Sequence, residues 1–212
     1  MTLVDPGTTW RNWGRVESAT PAFRAYPRTV AEVQQVVRAA RDRGLTVKAV
    51  GASHSFTDIA ATGGVLVDIS AVSGLVSAEP ERHRVTLGAG TNLYELPAIL
   101  DPLGLALENM GDIDRQTIAG ATSTGTHGTG ARFRGLAAQI AAATLVTADG
   151  TLLTVSETES PELLPAVRLG LGALGILVEV TLQCVPAFLL HAVEHPEPLD
   201  AVLDSFEQRA VE

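Results

Sequence analysis

Three clusters of small residues stand against β-like runs in this chain: Gly51-Ala52-Ser53-His54-Ser55, the stretch from Gly111 to Gly130, and Gly170 to Ile176. Glycine lets the backbone turn where a Cβ would obstruct it, and successive amides in such a turn can converge on an anion. Any single cluster is compatible with a tight turn in a Gly- and Ala-rich protein. Three of them, each beside a strand, point to a fold that wraps an extended, phosphate-containing ligand. The first constrains the fold most, because Leu45-Thr46-Val47-Lys48-Ala49-Val50 reads as a strand that feeds directly into it. The turn ends on His54, set between two serines.

Charge narrows the ligand further. The net charge is −9 and the pI about 5.0, which argues against nucleic acid or an anionic membrane as partner, since both require basic surface. A bound phosphate is therefore expected to rest mainly on backbone N–H groups and helix N-termini. The longest apolar run, Ile140 to Val146, is too short to span a bilayer. Met1 to Gly7 has neither a basic segment nor a sustained apolar stretch, so no signal peptide is expected. Cys184 is the only cysteine, which excludes an intrachain disulfide and fits a reducing, cytoplasmic setting. Its strand-like surroundings predict a buried, inert thiol. With 46% hydrophobic residues over 212 positions, the chain has ample material for one large domain or two small ones.

Taken in order, residues 10–27 read as irregular, with Trp10, Trp13, Phe23 and Tyr26 expected to anchor the start of the chain on the core. Thr29-Val30-Ala31-Glu32 reads as a capping box, and Val30, Val33, Val36, Val37 and Ala40 keep helical spacing until Gly44. Strands are predicted over 45–50 and 65–69. Leu75–Glu79 and Arg84–Ala89 read as a hairpin around a charged turn that leaves His83 solvated. A short helix is expected from Thr91 or Asn92, capped by Glu95 and broken or restarted by Pro97. Gln139–Thr147 and Leu152–Val155 flank an Asp149-Gly150 hairpin signal. A helical segment over 162–169 then leads into the longest β-like run, 176–185. The last segment, Leu199 to Val211, has an apolar face of Leu199, Val202, Leu203, Phe206 and Ala210. His191 and His195 have a spacing that suits a metal only on a helix, and Pro196 and Pro198 argue against a helix there. The whole reads as α+β, an α/β unit followed by a largely antiparallel one.

Two dinucleotide-like spellings fail on context. In Gly88-Ala89-Gly90-Thr91-Asn92-Leu93 a leucine stands where the third glycine belongs, and Gly170-Leu171-Gly172-Ala173-Leu174-Gly175 follows a helix and precedes a strand, the reverse of the required order. The stretch Gly125-Thr126-His127-Gly128-Thr129-Gly130 lacks the Gly-Lys-Ser/Thr ending of a P-loop.

Four segments together resemble a known family: Val50-Gly51-Ala52-Ser53-His54-Ser55-Phe56-Thr57-Asp58-Ile59-Ala60, Leu107-Glu108-Asn109-Met110-Gly111-Asp112-Ile113-Asp114, Ile118-Ala119-Gly120 through Gly130, and Leu174-Gly175-Ile176-Leu177-Val178-Glu179-Val180-Thr181. They are similar to the sugar-1,4-lactone oxidases and dehydrogenases and the related alditol oxidases of the vanillyl-alcohol-oxidase flavoprotein superfamily. The resemblance covers about residues 10–190. It implies a PCMH-type FAD-binding domain over 10–185, with subdomains at about 10–72 and 73–185 and FAD extended between them.

By the same resemblance, Gly51, Ala52, Ser53, His54 and Ser55 would hold the pyrophosphate through backbone N–H groups. His54 sits where many relatives attach the flavin covalently. Gly111, Asp112, Gly120, Ser123, Gly125, His127, Gly128 and Gly130 would line the pyrophosphate and the isoalloxazine ring. Backbone groups of Gly175, Ile176 and Val178 would contact the cofactor from the last strand, and Ala119 and Ala121 lie near where relatives control oxygen access. The implied reaction is hydride transfer from a CH–OH group of a sugar lactone or polyol to the flavin, with oxygen or another electron acceptor. Relatives add a C-terminal domain that caps the flavin ring and supplies charged residues, and 186–212 is expected to be the truncated start of such a cap. No catalytic residue of the cap can be named here. Two functions stay open: the FAD-binding part of such an oxidoreductase, or a non-catalytic flavin-binding remnant or module completed by a partner chain.

Overall fold

The structure is a computed structural model that describes residues 8–210. The expectations placed on Met1–Gly7 and on Val211 lie outside the described residues. Trp10–Arg11 (β1) pairs antiparallel with Ser18–Ala19 (β2), so the segment read as irregular begins with a small hairpin. Phe23–Ala25 (β3) follows and leads to the helix Val30–Arg41 (α1). The Thr29 hydroxyl accepts from the Glu32 amide at 3.2 Å, and the Glu32 carboxylate accepts from the Arg28 amide at 2.6 Å. The box is thus present with its return bond displaced by one residue. Val33, Val36, Val37 and Ala40 form the buried stripe that the spacing predicted, and Gly44 closes the segment at φ +65°.

Val47–Val50 (β4) and Val65–Asp68 (β5) complete a three-stranded parallel sheet in the order β3-β5-β4. β4 starts later than predicted because the Leu45 amide is still bonded to Ala40 of the helix. The central strand β5 buries Val65, Leu66 and Val67 in succession, as a strand covered on both faces must.

Leu75–Glu79 (β6) and Arg84–Gly88 (β7) form the expected hairpin, with half-buried His83 in a left-handed turn conformation. A single 3₁₀ turn, Leu93–Glu95, passes into the helix Leu96–Leu100 (α2). Pro97 lies in the first turn of α2, where its missing N–H costs nothing, so it restarts the helix. Leu105–Ala106 (β8), Ile118–Ser123 (α3), Ile140–Val146 (β9), Leu152–Ser156 (β10) and Leu164–Arg168 (α4) follow. The long strand is Ile176–Gln183 (β11), and Val185–Pro186 (β12) pairs back to β8. The second sheet is five-stranded and antiparallel, in the order β10-β9-β11-β7-β6. Buried side chains of both sheets and of α1 belong to one apolar cluster, running from Ala25 to Cys184.

The expectation for the aromatic residues of 10–27 needs correction. Trp10 is buried, but Trp13 is 63% and Tyr26 44% exposed. Trp13 sits at the tip of the β1–β2 turn, which packs onto the loop after β4 and not onto the core. Cys184 is buried as expected, and burial pushes its thiol up to about 11. His195 contacts Glu197 at 2.5 Å in the segment before the final helix, Leu199–Arg209 (α5). No group of three or more His, Cys, Asp or Glu suited to a metal is found among the described residues. The α5 side chains Leu199, Leu203 and Phe206 are exposed.

Candidate functional site

A cavity of about 550 Å³ opens between the two sheets, bounded by the loop after β4, the start of α3 and the turn between α4 and β11. Such a volume suits a cofactor-sized ligand. Gly51, Ala52, Ser53, His54, Ser55, Gly120, Ser123, Gly175 and Ile176 all line it. The structure therefore brings residues from three distant parts of the sequence to one wall.

The loop after β4 is held from outside. The Trp10 indole N–H donates to Ser53 Oγ at 3.1 Å, the Trp13 amide to the Ser53 carbonyl at 2.8 Å, and Asn12 Nδ2 to the Ser55 carbonyl at 2.9 Å. Ser53 adopts a left-handed conformation, φ +59°. These bonds occupy the carbonyls of Ser53 and Ser55, whereas the amides of Gly51, Ala52, Ser53, His54 and Ser55 form no hydrogen bond to another described residue. A run of unpartnered amides in a cavity wall is a seat for an anion. Gly51 is also where the two sheets' loops touch: a Cβ there would overlap Thr117 Oγ1, and buried Thr117 accepts from the Gly120 amide at the start of α3.

The wall is positively biased. Its charged side chains are Lys48 and Arg41, the latter paired with Asp42 at 3.3 Å, His54 is its one imidazole, and no Asp or Glu is among its residues, in a chain whose net charge is −9. Opposite the loop, Leu171 (φ +51°), Gly172 (φ +74°) and Gly175 (φ +149°) give the α4–β11 turn a backbone-faced surface. A Cβ on Gly175 would overlap the Val146 carbonyl.

The other expected residues lie outside the wall of the cavity. Gly111 packs under the His127 carbonyl and Gly128 against Met110 and Asn109, so loops 109–112 and 126–130 run side by side. His127 and Asp112 are exposed, and His127 Nδ1 lies 2.8 Å from the Gly128 carbonyl. Gly125 (φ +76°) ends α3, and Gly130 (φ +105°) lies under the Phe133 ring. Val178 is fully buried within β11, and its carbonyl accepts from the Ala89 amide at 2.9 Å.

Sequence reasoning did not single out Thr117, Arg41, Lys48 or Trp13 for this site. A threonine directly before Ile118-Ala119-Gly120 was a readable N-cap signal. Trp13 gave no such signal, because its contact with His54 spans the fold: the rings stack with centroids 5.1 Å apart and planes 18° from parallel.

Comparison with known proteins supplies the remaining constraint. The family model described as "FAD binding domain" matches residues 21–156. The chain is 39% identical over 201 residues to L-gulonolactone oxidase of Bos taurus, covering 95% of this chain and 46% of that protein. It is 41% identical over 199 residues to L-gulono-1,4-lactone dehydrogenase of Mycobacterium tuberculosis, with coverages of 94% and 46%. Identity to D-arabinono-1,4-lactone oxidase of Eremothecium gossypii is 37% over 202 residues, with coverages of 93% and 38%. The chain thus spans about half or less of the length of these curated relatives. Among solved structures, 6-hydroxy-D-nicotine oxidase from Arthrobacter nicotinovorans superposes with a TM-score of 0.73 at 24% identity, over 87% of this chain and 43% of that one. Physcomitrella patens BBE-like 1 gives a TM-score of 0.72 at 27% identity, over 79% and 37%.

Proposed function

The chain belongs to the FAD-binding domain family, and on that premise we propose that it is the cofactor-holding part of an oxidoreductase acting on the CH–OH group of a sugar 1,4-lactone or polyol. One observation carries the assignment of the site: Gly51 to Ser55, whose amides have no partner among the described residues, line a cavity whose wall holds no carboxylate. The residues present fit an extended cofactor with an anionic centre. Those amides would hold the pyrophosphate, with Lys48 adding charge. Gly120, Ser123 and the backbone of Gly175 and Ile176 would flank the rest of it. Gly111, Asp112, Gly125, His127, Gly128 and Gly130 would set the neighbouring loops against the site, and buried Val178 would fix the strand behind it.

When bound, FAD supplies a ring that accepts a hydride at N5. His54 is assigned the further role of covalent attachment. In that role a ring nitrogen of His54, neutral and lining the cavity, would be the nucleophile that tethers the flavin. A second reading concerns the base for the substrate's hydroxyl proton. The wall offers no carboxylate for that task, which favours a substrate site completed by groups outside the cavity.

Visible absorbance of the purified, FAD-supplied chain before and after acid precipitation tests these assignments. Yellow colour that stays in the pellet for wild type and leaves it for His54→Ala is the expected result. Colour that washes out of wild type removes the covalent role while retaining FAD, and a chain that takes up no FAD removes both. Anaerobic addition of L-gulono-1,4-lactone separates the two readings of the substrate site: rapid bleaching means that this chain holds the whole of it, and persistent colour means that it does not.

A further inference from the structure

Trp13, Val16 and Phe56 are large apolar side chains, each 63% exposed, so burial does not account for their placement. Trp13 instead covers one face of His54, and Phe56 meets the indole edge-on, centroids 6.2 Å apart and planes at 89°. The backbone holds this arrangement in register. The Trp13 amide and Asn12 Nδ2 bind the carbonyls of Ser53 and Ser55, the residues on either side of His54. Asn12 is only 2% exposed, and its Oδ1 accepts from the amides of Val16 and Glu17. Moving Asn12 would leave buried polar groups unpaired. Gly14 closes the fit, since a Cβ there would press on the Phe56 ring.

We propose that Trp13 is a positioning residue for the cofactor site: its indole fixes the plane of the His54 imidazole, and through it the loop that presents the amides of Gly51 to Ser55. The proposal rests on the FAD-holding role assigned above to that loop. With one face covered, the imidazole of this cavity-lining residue can turn out of its plane only by breaking the stack. A loop already ordered in this way has less conformational freedom to lose when a ligand binds.

The test is a double-mutant cycle on the full chain, using Trp13→Ala, Trp13→Phe, His54→Ala and the Trp13→Ala/His54→Ala pair. The readout is the non-covalent FAD affinity, taken from the fast phase of flavin-fluorescence quenching on mixing with the apoprotein. Aromatic pairing energies predict that Trp13→Ala weakens FAD binding roughly three- to tenfold, with most of the loss recovered in Trp13→Phe. In the His54→Ala background the same change should matter by no more than about twofold, the limit of ordinary additivity. In the ligand-free protein, Trp13→Ala should also shift the His54 ring-proton resonances by removing the indole ring current. An affinity unchanged by Trp13→Ala, an equal loss in both backgrounds, or unmoved ring protons would overturn the proposal. A wild-type chain that takes up no FAD sinks the loop's assignment and the positioning role together, whereas uptake indifferent to Trp13 sinks the positioning role alone.

Discussion

Gly51 shows how one residue can be required for two reasons. Its place at the end of a strand, before Ala52 and Ser53, marks it in the sequence as a point where a ligand approaches the backbone. The structure adds that its missing Cβ makes room for the side chain of Thr117, which is 1% exposed and caps α3. Gly51→Ala is expected to destabilise the protein by about 1–3 kcal/mol, the cost of overpacking a filled site. For a chain of this size that is a fall in melting temperature of about 2–4 °C per kcal/mol. Gly63→Ala serves as control, because a Cβ there meets nothing within 4 Å and the backbone is not left-handed. Equal melting temperatures for the two variants would mean that the Thr117 contact is relieved cheaply. The glycine was legible from neighbouring residues alone; Thr117, 66 positions further on, was not, because only the packing of two sheets brings it there.

The elements divide in the same way. Signals confined to a few residues, such as Thr29 with Glu32, Asn92 with Glu95, and Asp149-Gly150, located helix starts and a hairpin correctly, because capping and turn chemistry act over one or two turns. The β9–β10 turn also carries a pH dependence. The Thr147 hydroxyl donates to Asp149 Oδ1 at 2.6 Å, and the Thr151 amide and hydroxyl donate to it at 3.0 and 2.8 Å. These bonds, that from Thr147 foremost, hold the Asp149 carboxyl well below the usual carboxylate range. A carboxylate whose folded pKa lies below its unfolded value stabilises the fold above the unfolded value, and that contribution disappears as pH falls toward the folded one. The melting temperatures of wild type and Asp149→Asn should therefore differ at neutral pH and converge as pH drops below about 4. A gap that is constant down to pH 2 would assign the difference to the lost turn geometry alone. What the turn's sequence does not disclose is its second attachment: Gln34 Nε2 and Arg38 Nη2 donate to the Gly150 carbonyl at 2.9 and 2.8 Å, and Arg41 Nη1 to that of Asp149 at 3.0 Å.

At the scale of the whole molecule, the order of strands follows from which buried faces can meet. β11 lies between β9 and β7, although β10 precedes it in sequence, and no local pattern states that neighbour relation. The resemblance of four separated motifs was legible because each keeps its own spelling, but only the motifs around Gly51, Gly120 and Gly175 meet in the cavity wall, while that around Gly111 packs against the loop at 126–130 outside it. Net charge was equally legible, but its distribution was not. The chain sums to −9, yet the cavity wall holds Arg41 and Lys48 and no carboxylate. Capture and retention of an anionic cofactor therefore obey opposite electrostatics. A dinucleotide approaching from a distance meets net repulsion, which salt screens, so its bimolecular rate constant in stopped-flow mixing should rise as ionic strength increases from low to physiological. A rate that falls with salt would show that the cavity's local field already dominates the encounter. Seated as proposed, the cofactor would be held at short range by amides and Lys48, contacts that added salt screens far less, so salt should change the rate of arrival more than that of departure. For this protein, the ionic strength of its surroundings would govern how quickly the apoprotein is loaded rather than how long it stays loaded.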